Sequence, residues 1–185
     1  MVERAEELLG IVRGVPWLMT QLEAARAEEL PDWFIGAGAI RDVVWDIRFG
    51  SGFDPTLIED VDLVFFDPDD LSHEREVAVE RRLGNGWDVK NQAAVHTWFE
   101  EKFGTAAEPL KSTTDGISTW PELCTCVGVR LEHDGVLTVV APHGLDDVLD
   151  GIWRTNAVRV TPDVVAERLR KKAPHERWPG VRVVV

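Results

Sequence analysis

An apolar strand, a glycine turn and an amphipathic helix follow one another without a gap in WFIGAGAIRD, residues 33–42. Apolar residues recur at helical spacing over residues 40–47, with charged residues on the opposite side. Because the strand leads straight into the helix, the free N–H groups of the first helical turn can hold a phosphate group. The segment predicts either a dinucleotide-binding turn or a turn that holds a triphosphate, and it also fits a purely structural tight turn.

Short strands and helices alternate irregularly along the rest of the chain. Helices are predicted at residues 3–9, 17–30, 72–83, 93–103, 145–152 and 162–172, and strands at residues 33–35, 60–66, 87–90, 124–131, 135–140 and 181–185. The steady strand–helix alternation of a doubly wound sheet is missing, which favours an α+β fold with a small mixed sheet and flanking helices. At 185 residues, a single domain is expected.

Two aspartates, Asp60 and Asp62, open the apolar strand DVDLVFF. Residues two apart on a strand point to the same face, with Cα atoms roughly 6.6–6.8 Å apart. Two carboxylates at the edge of an apolar run repel each other and lose hydration, so they need a compensating group. A divalent cation that prefers oxygen ligands, Mg²⁺ or Mn²⁺, would supply it. The same pattern also fits two aspartates that simply stay solvated at the start of a strand.

Asp88 provides a third carboxylate, one residue into the next predicted strand. It could lie beside Asp60 and Asp62 across the sheet. Three converging carboxylates can hold two ions about 3.5–4 Å apart, which clamp the attacking and leaving oxygens of a phosphoryl displacement. The alternative is an ordinary aspartate on an edge strand.

Two features argue against dinucleotide binding. Arg41 stands where the dinucleotide-binding pattern requires a third glycine, and the aspartates open the second strand instead of closing it. What remains is a phosphate-binding turn made of Gly36, Ala37 and Gly38. Arg41 lies in the first turn of the helix, where an arginine is unfavourable without an anion nearby, so we expect it to help hold a triphosphate. Otherwise it would form a weak surface pair with Asp42.

The formal charge of −13 restricts the choice of partners. Such a field repels a polyphosphate backbone, so nucleic acid is an unlikely partner, whereas a small anion can bind near a metal ion or a helix N-terminus. The N-terminal stretch lacks the apolar core of a signal peptide, and no apolar run reaches membrane-spanning length. Cys124 and Cys126 are predicted to be free thiols on one buried strand face. We therefore expect a cytoplasmic protein with no membrane partner.

The motifs together resemble the nucleotidyltransferases of the DNA polymerase beta superfamily. These proteins carry a strand, a glycine-rich turn, a helix, an acid–hydrophobe–acid strand and a third acid on a neighbouring strand. The chain is especially similar to a family of small bacterial nucleotidyltransferases. The matching stretches lie within residues 34–154: GAGAIRDVVWD, EDVDLVFFD, WDVKNQAAVHTWFEEKFG, TDGISTWPE, VGVRL and APHGLDDVLDGIWR.

The resemblance implies transfer of a nucleoside monophosphate from an NTP to an unidentified small-molecule or protein acceptor. It implies Mg²⁺ or Mn²⁺ as the cofactor, held by the catalytic carboxylates Asp60, Asp62 and Asp88. The residues implied in nucleotide binding are Gly36, Ala37, Gly38, Arg41 and Lys90. The single domain would comprise N-terminal helices (1–30), a catalytic core (31–125), and a C-terminal hairpin with helices (126–185).

The sequence departs from the family at two positions. The turn is Gly-Ala-Gly, where Gly-Gly or Gly-Ser is usual, and Ala94 stands where members of the family carry arginine. These changes keep a second hypothesis open, a nucleotide-binding regulatory module with weak or no turnover. A third hypothesis is a scaffold whose acidic surface docks a basic protein. Residues that flank the third carboxylate or lie in polar loops are candidates for acceptor recognition: Lys90, Asn91, Gln92, His96, Thr113, Thr114, Asp115, Trp120 and Glu122. Of these, His96 lies on an apolar helix and is expected to be structural.

Overall fold

The computed structural model describes residues 2–158 and 161–184. The main sheet contains β1 (Phe34–Gly36), β2 (Val61–Phe65), β3 (Trp87–Asn91), β4 (Gly128–Leu131) and β5 (Leu137–Val140). Its strand order is β3-β2-β1-β4-β5. Strand β1 runs antiparallel to β2 and β4, whereas β2 and β3 are parallel. The predicted α+β fold with a small mixed sheet and flanking helices is confirmed.

The helices lie between and after these strands. Their bounds are α1 (Val2–Arg13), α2 (Pro16–Ala27), α3 (Ala37–Phe49), α4 (His73–Leu83), α5 (Val95–Phe103), α6 (Thr113–Ile117), α7 (Asp146–Leu149), α8 (Pro162–Lys172) and α9 (Pro174–Arg177). A separate parallel pair joins β6 (Ile152–Arg154) to β7 (Arg182–Val184). None of the helices in the two described ranges is long and apolar enough to cross a bilayer.

The two faces of the sheet have different roles. Leu63 and Phe65 of β2 point into the main core, where they meet apolar side chains of α1, α2 and α3. Val64 points to the other face and packs with Phe34 and Ile117 in a smaller cluster. Because side chains alternate along a strand, Asp62 lies on this second face. The position of Asp62 makes this face the candidate site.

Several predicted boundaries were wrong, mostly in the second half of the chain. Helix α7 spans one turn, because Ile152–Arg154 forms a strand that pairs with β7 from the end of the chain. Strand β4 begins at Gly128, after a short 3-10 helix, Leu123–Thr125. Cys124 and Cys126 are buried free thiols, but they lie in different apolar clusters instead of on one strand face.

Smaller differences concern the helix ends. The second helix stops at Ala27, three residues before the predicted end, and α5 is preceded by the 3-10 turn Gln92–Ala94. Part of the predicted terminal strand, residue 185, lies outside the described residues. The division of the chain into N-terminal helices, a catalytic core and a C-terminal segment stays a prediction.

Candidate active site

Three predicted site residues lie side by side on neighbouring strands. Gly36 of β1 is the Cα partner of Asp62 on β2, and Asp62 is the partner of Asp88 on β3. Paired positions of adjacent strands point to the same face of a sheet. The register therefore brings the glycine turn and two of the three carboxylates together, with Asp60 just before β2. We call Asp60, Asp62 and Asp88 the carboxylate row, or the row.

Asp62 is the most perturbed carboxyl group of the row. Burial, together with the negative charges of Asp60 and Asp88, raises its pKa from 3.8 to about 7. The backbone N–H of Gly38 donates a hydrogen bond to the carboxylate and acts in the opposite direction, as does the charge of Arg41. A carboxyl group with this pKa carries unfavourable charge that a cation would relieve.

Asp60 lies at the exposed end of the row. Its pKa is raised from 3.8, first by partial desolvation and then by the charge of Asp88, while the charge of Lys172 opposes the shift. The three carboxylates therefore act on one another electrostatically. This mutual repulsion is typical of groups placed to bind a ligand of opposite charge.

Lys90 neutralises Asp88 in this structure. Its ammonium donates hydrogen bonds to the Asp88 carboxylate and, at 3.0 Å, to the carbonyl of Val89, and it lies 3.6 Å from Glu80. Burial lowers the pKa of Lys90, but the hydrogen bond and charge of Asp88 outweigh it, and the net pKa is raised. Lys90 thus stays protonated beside the carboxylate row.

The side chains of the described residues form no group of three or more His, Cys, Asp or Glu placed closely enough to hold a metal ion. The chemistry of the donor set nevertheless fits a hard divalent cation, because the row offers carboxylate oxygens and the charged form of Asp62 is disfavoured without a cation. Which residues hold a metal stays a prediction.

Gly36 is required by packing. A Cβ atom built on it would lie 2.6 Å from the carbonyl oxygen of Val127 and 2.7 Å from a ring carbon of Trp120. The φ angle of Gly36 is −150°, which any residue can adopt, so the requirement is steric. The sequence pattern associated Trp120 with acceptor recognition and missed that its ring covers the glycine turn.

The two other residues of the turn behave differently. Ala37 has a φ of 50°, in the left-handed region that disfavours side chains. A Cβ atom on Gly38 would meet only the Arg41 side chain, at 3.8 Å, so Gly38 is not required by packing. The backbone N–H of Gly38 faces Asp62. The turn is therefore strained at its middle residue and open at its last.

Arg41 is buried below the turn and is not part of a surface pair. Its Nε donates to Asp42 Oδ1 at 2.8 Å. Its guanidinium carbon lies 5.7, 5.3 and 5.5 Å from the ring centroids of Trp45, Trp153 and Trp178. Only 3% of the Arg41 surface is exposed, so Arg41 is shielded from solvent. It acts on the Asp62 carboxylate through its charge. Its role in nucleotide binding stays a prediction.

A cavity of about 310 Å³, here the aromatic cavity, opens beside Asp62. Its walls include aromatic rings of α5 and the segment before β4, and helix α8 closes one side. The aromatic lining residues are Trp98, Phe99, Phe103 and Trp120. Cavities of this size with aromatic walls and a few polar groups commonly bind small organic molecules.

Sequence reasoning missed Arg168 of α8, which lines the aromatic cavity. It forms a two-pronged ion pair with buried Glu122, with Nε–Oε1 and Nη2–Oε2 distances of 2.5 and 2.9 Å. The spacing of 46 residues between the partners left no local signal. His96, predicted to be structural, is half-buried, and its Nδ1 atom has no hydrogen-bond partner in the described structure.

Solved structures with a similar fold include several nucleotidyltransferases. One NMR structure, described as revealing a CCA-adding enzyme head domain, has 29% identity and a TM-score of 0.78, covering 97% of this chain and 95% of that one. The Thermotoga maritima CCA-adding enzyme complexed with tRNA has 14% identity and a TM-score of 0.57. A CCA-adding enzyme with CTP has 13% identity and a TM-score of 0.54.

The last two likenesses show the fold alone. They cover 97% and 98% of this chain but only 42% and 43% of those enzymes. No curated protein matches the sequence. The family described as nucleotidyltransferase matches residues 23–183, which is most of the chain. The protein therefore belongs to the nucleotidyltransferase family of enzymes, which transfer nucleotidyl groups.

Proposed function

We propose that the protein is a metal-dependent nucleotidyltransferase that moves a nucleoside monophosphate from an NTP to an acceptor hydroxyl and releases pyrophosphate. The observation that carries this proposal is the alignment of Gly36, Asp62 and Asp88 across three adjacent strands. This alignment sets the glycine turn beside two carboxylates, of which Asp62 has a raised pKa and no ion pair among the described residues, and it suits the charge distribution of phosphoryl transfer.

The glycine turn would hold the β- and γ-phosphates of the NTP. Helix α3 begins at this turn, so its free N–H groups and its dipole favour negative charge there. Buried Arg41 adds positive charge below the same turn. In the present arrangement, Gly38 N–H is occupied by Asp62. When the nucleotide binds, this N–H would donate its hydrogen bond to a phosphate oxygen instead of to Asp62.

Asp60, Asp62 and Asp88 would hold Mg²⁺ or Mn²⁺. When bound, the ion would neutralise charge on the triphosphate and on these carboxylates. Asp88 lies on the edge strand β3, where an acceptor can approach, and we assign it the removal of the acceptor proton. Lys90 would move from Asp88 to the nucleotide, which would free that carboxylate for this task.

Turnover can be tested without knowing the acceptor. The purified protein is incubated with each α-labelled NTP and Mg²⁺ or Mn²⁺, with and without a pool of metabolites and proteins. We expect metal-dependent release of pyrophosphate and a labelled adduct. The absence of both from wild type, or an equal yield from Asp62→Asn, would contradict the proposal.

A nucleotide-binding module without turnover remains the second candidate. The strained Ala37 in the turn supports it, because a distorted turn can bind a triphosphate and still misplace it for reaction. Calorimetry with a non-hydrolysable NTP separates the two candidates. Tight metal-dependent binding by a wild type that forms no product would support the module.

The expectation that nucleic acid is an unlikely partner has lost its support. A structurally similar enzyme is complexed with tRNA. An RNA 3′ end therefore stands beside a small molecule or a protein as an acceptor class to be tested. An RNA oligonucleotide with a free 3′ hydroxyl belongs in the acceptor pool for that reason.

A further inference from the structure

A second cavity, about 550 Å³ in volume, lies beyond the edge strand β3, between α4 and α5. We call it the edge cavity. Lys90 and Trp98 line both the edge cavity and the aromatic cavity. These two side chains therefore form a partition between two compartments that meet near the carboxylate row.

We propose that the edge cavity is the acceptor compartment and that it takes a neutral or cationic hydroxyl compound. The inference rests on the proposed nucleotidyl transfer and deepens it. It assigns the donor nucleoside to the aromatic cavity and places the acceptor on the opposite side of the partition.

The direction of displacement supports this assignment. The attacking and leaving oxygens lie roughly in line across the transferred phosphorus. The leaving pyrophosphate belongs at the glycine turn of β1, on one side of β2. Strand β3 lies on the other side of β2 and is the edge of the sheet. An acceptor in line with the leaving group therefore enters from the β3 side, where the edge cavity lies.

The partition also connects the edge cavity to a catalytic group. Lys90 lines this cavity, and its ammonium donates a hydrogen bond to Asp88. A hydroxyl that displaces this ammonium from Asp88 would meet the carboxylate assigned to proton removal. The acceptor oxygen would then bond to the α-phosphorus while the bond from that phosphorus to pyrophosphate breaks. The hydroxyl proton passes to Asp88.

The charges around the edge cavity favour an acceptor without phosphates. Its charged lining residues are Glu76, Glu101, Lys90 and Lys102, with His73 beside Glu76, and Asp88 lies behind Lys90. Glu76 is 4% exposed and accepts a hydrogen bond from the edge N–H of Asn91 at 2.8 Å, which holds its carboxylate in place. Both lysines already have partners in the protein, because Lys90 donates a hydrogen bond to Asp88 and Lys102 lies over the Trp98 ring. A chain of phosphodiesters would meet these carboxylates at close range.

The lining also offers contacts to a cation or a sugar-like ring. The Trp98 ring borders the cavity and forms a cation–π contact with Lys102, whose ammonium lies 5.4 Å from the ring centroid. An aromatic face of this kind attracts amines and the C–H groups of hydroxylated rings. The cavity volume suits a small molecule or a single side chain of a protein.

The proposal can be tested with an acceptor carried by the protein itself. Thr97 is exposed on α5 and lines the edge cavity. Thr97→Cys is labelled by disulfide exchange with hydroxyalkyl thiosulfonates of two, four and six carbons. The native thiols will stay unlabelled, because burial raises the pKa of Cys126 to about 12 and that of Cys124 further.

Val164→Cys provides the matched control. It is 39% exposed on α8 and lines the aromatic cavity but not the edge cavity. Both labelled proteins are incubated with α-labelled NTP and Mg²⁺. We expect at least tenfold more labelled protein from the Thr97 tether than from the Val164 tether. The label should be released by thiol reduction and lost in a Thr97→Cys, Asp88→Asn double variant.

Each other result overturns the proposal. Equal or greater labelling from the Val164 tether excludes the edge cavity, as does labelling from neither tether when wild type releases pyrophosphate. Wild-type transfer to an RNA 3′ end that Thr97→Trp leaves unchanged would identify a different acceptor site. If wild type neither binds nor turns over any NTP, the proposed function fails together with this inference.

Discussion

Two groups of aspartates lie near helix α3, and they differ in how their charge is balanced. Asp42 and Asp46, on the helix, are buried and paired. Arg177 Nη1 donates to Asp42 at 2.9 Å, and its Nη2 donates to Asp46 at 2.8 Å. The indole N–H of Trp178 donates to Asp46 at 2.7 Å. Within the described residues, neither Asp60 nor Asp62 forms an ion pair.

The difference separates acids that hold the fold together from acids that need a ligand. A buried carboxylate with guanidinium and indole donors is satisfied within the protein, so its removal leaves other charges unpaired. Asp62 instead has a pKa of about 7, because it is buried and two other carboxylates lie nearby. We call Asp42 and Asp46 the paired group, and Asp60, Asp62 and Asp88 the row. Substitutions in the two groups should have opposite effects.

The largest expected effect is the loss of activity when a carboxylate of the row is substituted. Asp62→Asn keeps the shape of the side chain but removes its charge, so we expect metal-dependent pyrophosphate release to fall by about 10³-fold or more. The folded protein should remain, with an unchanged circular dichroism spectrum. An Asp62→Asn protein with near-wild-type turnover would remove the distinction between the two groups.

The paired group should show the reverse pattern. Asp46→Asn leaves Arg177 and Trp178 short of their acceptor, and breaking such a buried pair costs about 3–5 kcal/mol. We expect this loss in the free energy of unfolding measured with urea. Pyrophosphate release per folded molecule should stay within about threefold of wild type. A variant as stable as wild type would show that the pairing contributes little.

The pH dependence of stability sharpens the comparison in metal-free protein. The pKa of Asp62 is raised from 3.8 to about 7 on folding, so the folded state binds this proton more tightly than the unfolded state. Its contribution to stability is therefore present below about pH 4 and is lost as the pH rises to about 7. Asp62→Asn should abolish this loss.

Urea unfolding in EDTA at about pH 5 and about pH 8 measures this effect. At the higher pH we expect Asp62→Asn to be more stable than wild type by on the order of 2–4 kcal/mol. Asp46→Asn, in contrast, should be less stable than wild type at both values. A destabilised Asp62→Asn at about pH 8 would show that the carboxylate is satisfied within the apoprotein.

Gly36 and Gly38 allow the packing of the turn to be tested separately from its charge. Gly36→Ala would push a Cβ into the Val127 carbonyl and the Trp120 ring, and overpacking of this kind costs about 1–3 kcal/mol. Gly38→Ala meets nothing closer than 3.8 Å and should leave thermal stability unchanged or slightly higher. Equal melting temperatures for the two variants would contradict the close packing of Trp120 on Gly36.

Local patterns were enough to predict the row but not the paired group. The strand, turn and helix of residues 33–47 and the acids of β2 and β3 follow from short-range periodicity. Arg177 and Asp46 are 131 residues apart, so no local pattern links them. For the same reason, the sequence predicted that Arg41 helps to hold a triphosphate or forms a surface pair with Asp42, and it did not reveal that the fold buries Arg41 among three indoles.

Long-range pairing also explains the errors in secondary structure. The helix predicted over residues 145–152 ends early, because residues 152–154 form a strand with which β7 pairs. As a consequence, only 1% of the Trp153 surface is exposed. Tertiary contacts of this kind override local propensity, and a single sequence does not reveal them.

The smallest expected effect concerns Ala37, the residue on which the turn departs from its family. A left-handed conformation costs an alanine about 1–2 kcal/mol, whereas glycine adopts it freely but loses about 0.5–1 kcal/mol of chain entropy on folding. Ala37→Gly should therefore raise the free energy of unfolding by about 0.5 kcal/mol.

Because the relaxed turn presents its N–H groups without strain, we also expect NTP affinity, measured by calorimetry, to rise by less than about tenfold. Ala37→Val, with a branched side chain in the same conformation, should lower both quantities, and a stable, tightly binding Ala37→Val protein would show that the turn relaxes at no cost.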